Sequence, residues 1–381
     1  MTTDSAVAVD TFSIALLDSV ELSLSHVQRP TNDSERLFFR NLFANLVRLD
    51  CRNVIRPGLA ESWTSDSNGA VWTFTLPENA NSRSGIAGSA AEASGALVAG
   101  WFGDKVPGID SVQELDQRRL RVFLSRGTDS VPRVLADPAL SLVTGLPTGG
   151  ADRAGNIALP ARRSGPVIEF QFALTGDPRD ALDRRVDLLV SRDASLIEYA
   201  ANRPEFDGFP LPWTRTYVLL QPAGAQALEA PTGLERQSLA RDAVQADARP
   251  AEPLPWWNEV GGCPATAAEA SVISRRIAYV LGDEVARALA ERVVALAEID
   301  TDLRTVGVEA SEFATLLRRG SERAYIVALP RQTLAPCRET AALPRGARIH
   351  PLIDTRAYAI VRKGGPPVTV DWDGTVRVAE P

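Results

Sequence analysis

The chain has 381 residues, 45% of them hydrophobic, enough for two or three lobes with cores of their own. A net charge of −7, with Lys105 and Lys363 the only lysines among 41 basic residues, speaks against a nucleic-acid binder, which needs a basic face. Glycine and proline, at 27 and 26, exclude collagen-like and wholly disordered chains, and no apolar run reaches the ~18 residues of a membrane span.

The opening "MTTDSAVAVDTFSIALL" has neither a basic n-region nor a long apolar stretch, so no signal peptide is visible. Two readings stay open: a cytoplasmic protein, or an exported one whose signal was trimmed and an initiator methionine supplied. Within this opening, Thr11 to Leu17 reads as a first strand. Asn32 then caps a helix with Glu35 at its third position, and Leu37, Phe38, Leu42, Phe43, Leu46 and Val47 give that helix its apolar face. Next comes "RPGLAESWTSDSNGAVWTFTL". Its Asn68-Gly69 suits a tight reversal, and Trp72, Phe74 and Leu76 alternate with Val71, Thr73 and Thr75 as in a half-buried strand.

Ser89 and Glu92 open a helix that runs to about Trp101. "DSVQELDQRRLRVFL" reads as two strands around Asp116-Gln117, and Val131 to Leu135 as a short helix. Val167 to Leu174, Val186 to Val190 and Tyr217 to Leu220 are strand candidates. Ala223 to Pro255, rich in Ala, Pro, Glu and Arg, reads as a loose connection. "RIAYVL" is a strand, followed at Gly282-Asp283 by a helix with Val285, Leu289, Val293, Leu296 and Ile299 on one face. Another helix spans Glu309 to Arg319, another strand Ala324 to Leu329, and Asp373-Gly374 turns a terminal hairpin. Strands alternating with helices predict an α/β architecture.

Catalytic chemistry has little to stand on. The histidines are His26 and His350, neither beside a nucleophile pattern, and no GxSxG, SxxK, HExxH, Walker A or GxGxxG sequence occurs. Cys51, Cys263 and Cys337 lie far apart with no CxxC or Cys/His cluster, so no zinc site is expected. Neither enzymatic activity nor a cofactor or metal is expected.

The block "NLFANLVRLDCRNVIRPGLAESWTSDSNGAVWTFTL" resembles the N-terminal signature of extracytoplasmic solute-binding proteins of the oligopeptide, dipeptide and nickel class. In that family a helix ending in Leu-Val leads to Pro-x-Leu-Ala-Glu-Ser-Trp, a turn, and a strand ending Thr-Phe-x-Leu. Here these are Leu46-Val47, Pro57 to Trp63 and Thr73 to Leu76, followed at family spacing by Gly85, Ser89 and Glu92. "RRVDLLV", "RRIAYVLGDEVARALAERVVALAEIDTDLRTVGVEASEFATLLRRG" and "IHPLIDTRAYAIVRKG" resemble later family segments, in the family's order. Members are usually more than a hundred residues longer, which implies a shortened distal lobe.

The resemblance implies a two-lobed α/β fold of the periplasmic-binding-protein type II class, with mixed sheets and an inter-lobe cleft. The first lobe would comprise residues 1–222 plus 350–381, including an N-terminal subdomain of about 50–150, and the distal lobe 223–349. It implies non-catalytic capture of a small solute (peptide-like, opine-like or otherwise anionic or amphipathic) by a monomer that delivers it to an ABC-type permease. The location would then be periplasmic or extracytoplasmic. The alternative, motivated by the missing signal and short distal lobe, is a binding-protein-like sensor or scaffold that has lost the transport role. Trp213, Trp256 and Trp257 fall near the connection between lobes, and either floor a ligand pocket or wedge the hinge. Arg331 is the candidate partner for an anionic solute, and His26 lies in the loop that faces the family's cleft. In an exported protein Cys263 and Cys337 would pair within the distal lobe and leave Cys51 free; in a cytoplasmic one all three would stay reduced.

Overall fold

A computed structural model describes residues 11–379, apart from 24–26, 28–29, 51–53, 79–88, 102–108, 144–156, 160–166, 174–176, 185, 224, 226–227, 243–246, 264–273, 298–301 and 345. His26, Cys51, Gly85 and Ile299 therefore lie outside the described residues. The chain divides into two compact units. The first comprises Met1–Ser191, Ser195–Leu211 and Tyr358–Pro381, and the second Arg192–Ala194 and Pro212–Ala357.

In the first unit a mixed six-stranded sheet has the order Phe206–Pro210, Tyr358–Arg362, Leu188–Ser191, Thr11–Leu16, Val167–Phe172, Ile157–Leu159. Thr11–Leu16 runs parallel to both of its neighbours. Its residues from Phe12 onward are buried on both faces, which is why the segment reads as a continuous apolar run rather than an alternation. Over this sheet lies the helix Asp33–Leu42. Its Asn32 cap accepts from the Glu35 amide at 2.8 Å, while the Glu35 carboxylate takes the amides of Thr31 (2.7 Å) and Glu21 (3.0 Å). The helix also buries Phe38 edge-on to Phe170, ring centroids 5.1 Å apart.

A separate antiparallel sheet in this unit has the order Ser62–Ser65, Val71–Thr75, Arg119–Leu124, Ile109–Glu114. The alternation after Asn68-Gly69 is realised with Trp72, Phe74 and Leu76 buried. Gly69 has φ +64, a conformation that favours glycine. The C-terminal hairpin, Val368–Val370 with Val376–Val378, fastens to the helix Asp33–Leu42 through Asn41. The Asn41 side-chain oxygen accepts from Val376 N at 2.9 Å, and its Nδ2 donates to Gly374 O at 3.1 Å.

The second unit is built on one six-stranded sheet, in the order Ala248–Pro250, Arg348–Thr355, Arg215–Gln221, Ala324–Pro330, Arg276–Val280, Arg304–Val308. Its first four strands are antiparallel neighbours, while Arg276–Val280 is parallel to both strands beside it. Each face carries its own core. Leu289, Ala290 and Val293 of the helix Glu284–Leu296 pack with Tyr217, Leu219 and Ile326. Phe313 and Leu317 of the helix Ala310–Arg319 pack with Val218, Leu220, Tyr325 and Trp256. Asp283, at the turn after Gly282, caps the first of these helices by accepting from Ala286 N at 2.9 Å.

The stretch 223–255 departs from the loose connection expected of it. It holds a helix, Gly233–Asp242, and the edge strand Ala248–Pro250. The helix has almost no apolar face to betray it: Leu239 and Ala240 are buried, but Leu234 is exposed. Its start is marked by a reciprocal capping box, in which Thr232 N donates to the Glu235 carboxylate at 2.6 Å and Glu235 N to Thr232 Oγ1 at 3.3 Å. Among the described residues no helix is long and apolar enough to cross a membrane.

Candidate functional site

At one end of the second unit's sheet the register brings Arg215 opposite both Pro330 and Thr355, and Ala248 opposite Thr355. This is also the end at which the chain enters the unit, at Pro212, and leaves it, at Ala357. Residues remote in sequence are collected there: Arg192, Trp213, Thr216, Arg249, Arg331, Asp354 and Arg356.

Asp354 is fully buried. An unpaired carboxylate in such a place would cost several kcal/mol, and three donors compensate it. Arg331 Nη1 and Thr216 Oγ1 both reach Oδ1 at 2.7 Å, and Arg249 Nε reaches Oδ2 at 3.1 Å. Arg331 is itself only 8% exposed. Its guanidinium also turns to the chain just before Trp256: Nη1 donates to Glu252 O at 3.2 Å as well, and Nη2 to Pro253 O and the Glu252 carboxylate, each at 3.5 Å.

Trp213 forms the second layer. The Arg249 and Arg356 guanidinium carbons lie 4.8 and 4.4 Å from its ring centroid, within cation–π range. Arg356 pairs with Asp247, Arg249 Nη2 with Glu252 at 3.1 Å, and Arg192 Nη2 donates to Thr214 Oγ1 at 2.9 Å. Deeper in the sheet, Tyr217 donates to Asp283 at 3.1 Å. Burial pushes the Tyr217 hydroxyl up to about 12, so it remains a donor at neutral pH. Burial, with Arg348 nearby, holds His350 below the usual histidine range and so favours its neutral form.

Three of the residues singled out from sequence meet here. Trp213 and Arg331 belong to the cluster, and Trp256 adjoins it by donating its indole N–H to Pro330 O at 2.9 Å. Trp257 follows, its ring centroid 5.8 Å from that of Trp256. An extended Trp256-Trp257 would point its rings to opposite faces. Instead the pair opens a 3₁₀ turn, Trp257–Gly262, and both rings pack against the same core. The prolines at 253 and 255 stiffen the approach, but the chain coils immediately after them. Cys263, which ends this turn, forms a disulfide with Cys337. Arg249, Asp354 and Arg356 carry no signal in the sequence, since each is an ordinary charged residue until the strand pairing sets 249 opposite 354 and the fold brings Arg249 and Arg356 over Trp213.

No family model matches the sequence, and no curated protein matches it. Solved structures do match in fold. NikA from Brucella suis, in complex with Fe(III)-EDTA, is 14% identical with a TM-score of 0.68, covering 96% of this chain and 100% of that one. The PBP AgaA from A. tumefaciens R10, in complex with agropinic acid, is 12% identical with a TM-score of 0.63, covering 97% and 99%. The Escherichia coli murein tripeptide binding protein MppA is 12% identical with a TM-score of 0.58, covering 98% and 99%. The fold is therefore the α/β periplasmic-binding-protein type II fold of the ABC substrate-binding proteins, as the N-terminal block implied.

Proposed function

We propose that this protein is a non-catalytic, extracytoplasmic solute-binding protein that captures a small solute and hands it to an ABC-type permease. The observation that carries the reading is a fold shared over nearly the whole chain with binding proteins whose structures hold an iron chelate or agropinic acid, or that are named for a murein tripeptide. On this reading the Trp213 cluster of the second unit binds the solute. Trp213 carries the Arg249 and Arg356 guanidinium groups over its ring, so an apolar surface and positive charge stand together, an arrangement suited to a solute with both apolar and polar parts. Arg331 acts from beneath, by holding Asp354 and the chain before Trp256; Trp256 and Trp257 stiffen that chain. Delivery to a permease places the mature protein outside the cytoplasm.

Thermal unfolding tests the reading. A panel of Ni-histidine, agropinic acid, di- and tripeptides and sugars should contain at least one compound that raises Tm in proportion to ln(1 + [L]/Kd). A panel with no shift, together with no pull-down of a permease, favours a scaffold or sensor.

A further inference from the structure

Arg249 is held in place from several sides and still presents donors. Asp354 takes its Nε, Glu252 takes its Nη2, and its guanidinium carbon lies 4.8 Å from the Trp213 ring centroid. Its Nη1 amino group has no acceptor among the described residues, and the side chain is 34% exposed. A guanidinium anchored this way has lost its rotamer freedom before a ligand arrives, so its remaining N–H groups bind at reduced entropic cost. Planar acceptors with two oxygens match that edge best. The ring face of Trp213 is also partly occupied by two cations, so a cationic headgroup would meet repulsion where an anion meets attraction. Glu252 has the character of a placeholder: its carboxylate sits 3.1 Å from Arg249 Nη2 and 3.5 Å from Arg331 Nη2, yet its side chain is 61% exposed, so water and a solute anion can compete with it.

We propose that Arg249 is the anion-recognising residue of the solute site, and that the solute carries a carboxylate which docks on the Arg249 amino edge beside Trp213. This rests on the solute-binding reading above. Asp354 acts as a positioning residue, because it fixes the Arg249 Nε and is itself fixed by Arg331 and Thr216. Glu252 competes with the solute for the same cation.

Titration with matched probes tests this, using agropinic acid and a set of di- and tripeptides, each beside its carboxamide counterpart. The acids should bind about ten- to a hundredfold more tightly than the amides, the range of a charge-assisted hydrogen bond. Arg249→Gln should erase that preference while retaining amide binding, and Arg249→Lys should restore part of it. Glu252→Gln, at an exposed position, should tighten the acids and leave the amides unchanged. Equal binding of acids and amides, or a preference that survives Arg249→Gln in a folded protein, overturns the anion assignment and leaves solute binding standing. Failure of every probe to bind overturns both.

Discussion

Asp354 shows how one residue can organise a region without announcing itself. In the sequence it is one of 48 acids, at the end of the strand Arg348–Thr355. Its partners come from positions 216, 249 and 331, and only the sheet register joins them. Arg331, a cation just after a strand, has its guanidinium directed to this carboxylate, to two backbone carbonyls and to the Glu252 carboxylate. Removing one partner of such a pair leaves a buried charge uncompensated, which is far costlier than losing a surface ion pair. Asp354→Ala is therefore expected to destabilise the protein by about 3–5 kcal/mol, read as a lower urea midpoint. A loss within ~0.5 kcal/mol, typical of a neutral surface change, would contradict this account of the cluster.

At the scale of elements, legibility followed hydrophobic patterning. The helix Asp33–Leu42, the hairpin strands and the helix Glu284–Leu296 each show a clear apolar face or alternation that is readable, although the first helix stops at Leu42 and Val47, read as part of its face, opens the strand Val47–Leu49 instead. The helix Gly233–Asp242 was not readable, because only Leu239 and Ala240 bury against the sheet; its Thr232–Glu235 capping box was the usable signal. The hairpin also answers why tryptophan stands at 72. Its indole N–H lies 3.1 Å from Gly69 O and 3.2 Å from Thr128 O, tying the turn to the segment after Leu124. A Cβ on Gly127 would sit 1.7 Å from Asn68 O, so Gly127→Ala must force two backbones apart. It should lower the unfolding free energy by about 2–4 kcal/mol, the large end for single substitutions; an unchanged Tm would refute that packing.

The Cys263–Cys337 disulfide joins two further elements, the 3₁₀ turn Trp257–Gly262 and the helix Pro336–Thr340. It closes a loop with a sequence separation of 74. Reduction is expected to lower stability by roughly 4 kcal/mol on the chain-entropy account. Thiol titration of the unfolded, unreduced chain should find one reactive cysteine, rising to three after reduction. Three before reduction would mean that the pair does not form in the protein as isolated.

For the molecule as a whole, the fold was legible because its N-terminal block carries several signals in fixed order: a helix end, Pro57 to Trp63, a tight turn and an alternating strand. The site was less legible for a physical reason. A fold of this kind tolerates 10–14% identity among the structures it matches, since burial and register constrain residue class more than identity. The groups we propose for recognition, by contrast, sit at strand ends and connections, where a single arginine carries no periodic signature. Trp213 could be noticed as a rare residue; Arg249 could not. The central claim is that the chain carries a solute, and native mass spectrometry of protein purified without denaturation tests it most directly. The account predicts a peak heavier than the 41.0 kDa chain by one small molecule, with that excess lost on acid unfolding and regained when the released compound is added back to refolded protein. A spectrum showing the bare chain alone, unchanged after exposure to the acid and amide probes and the remaining solutes of the panel, would contradict it.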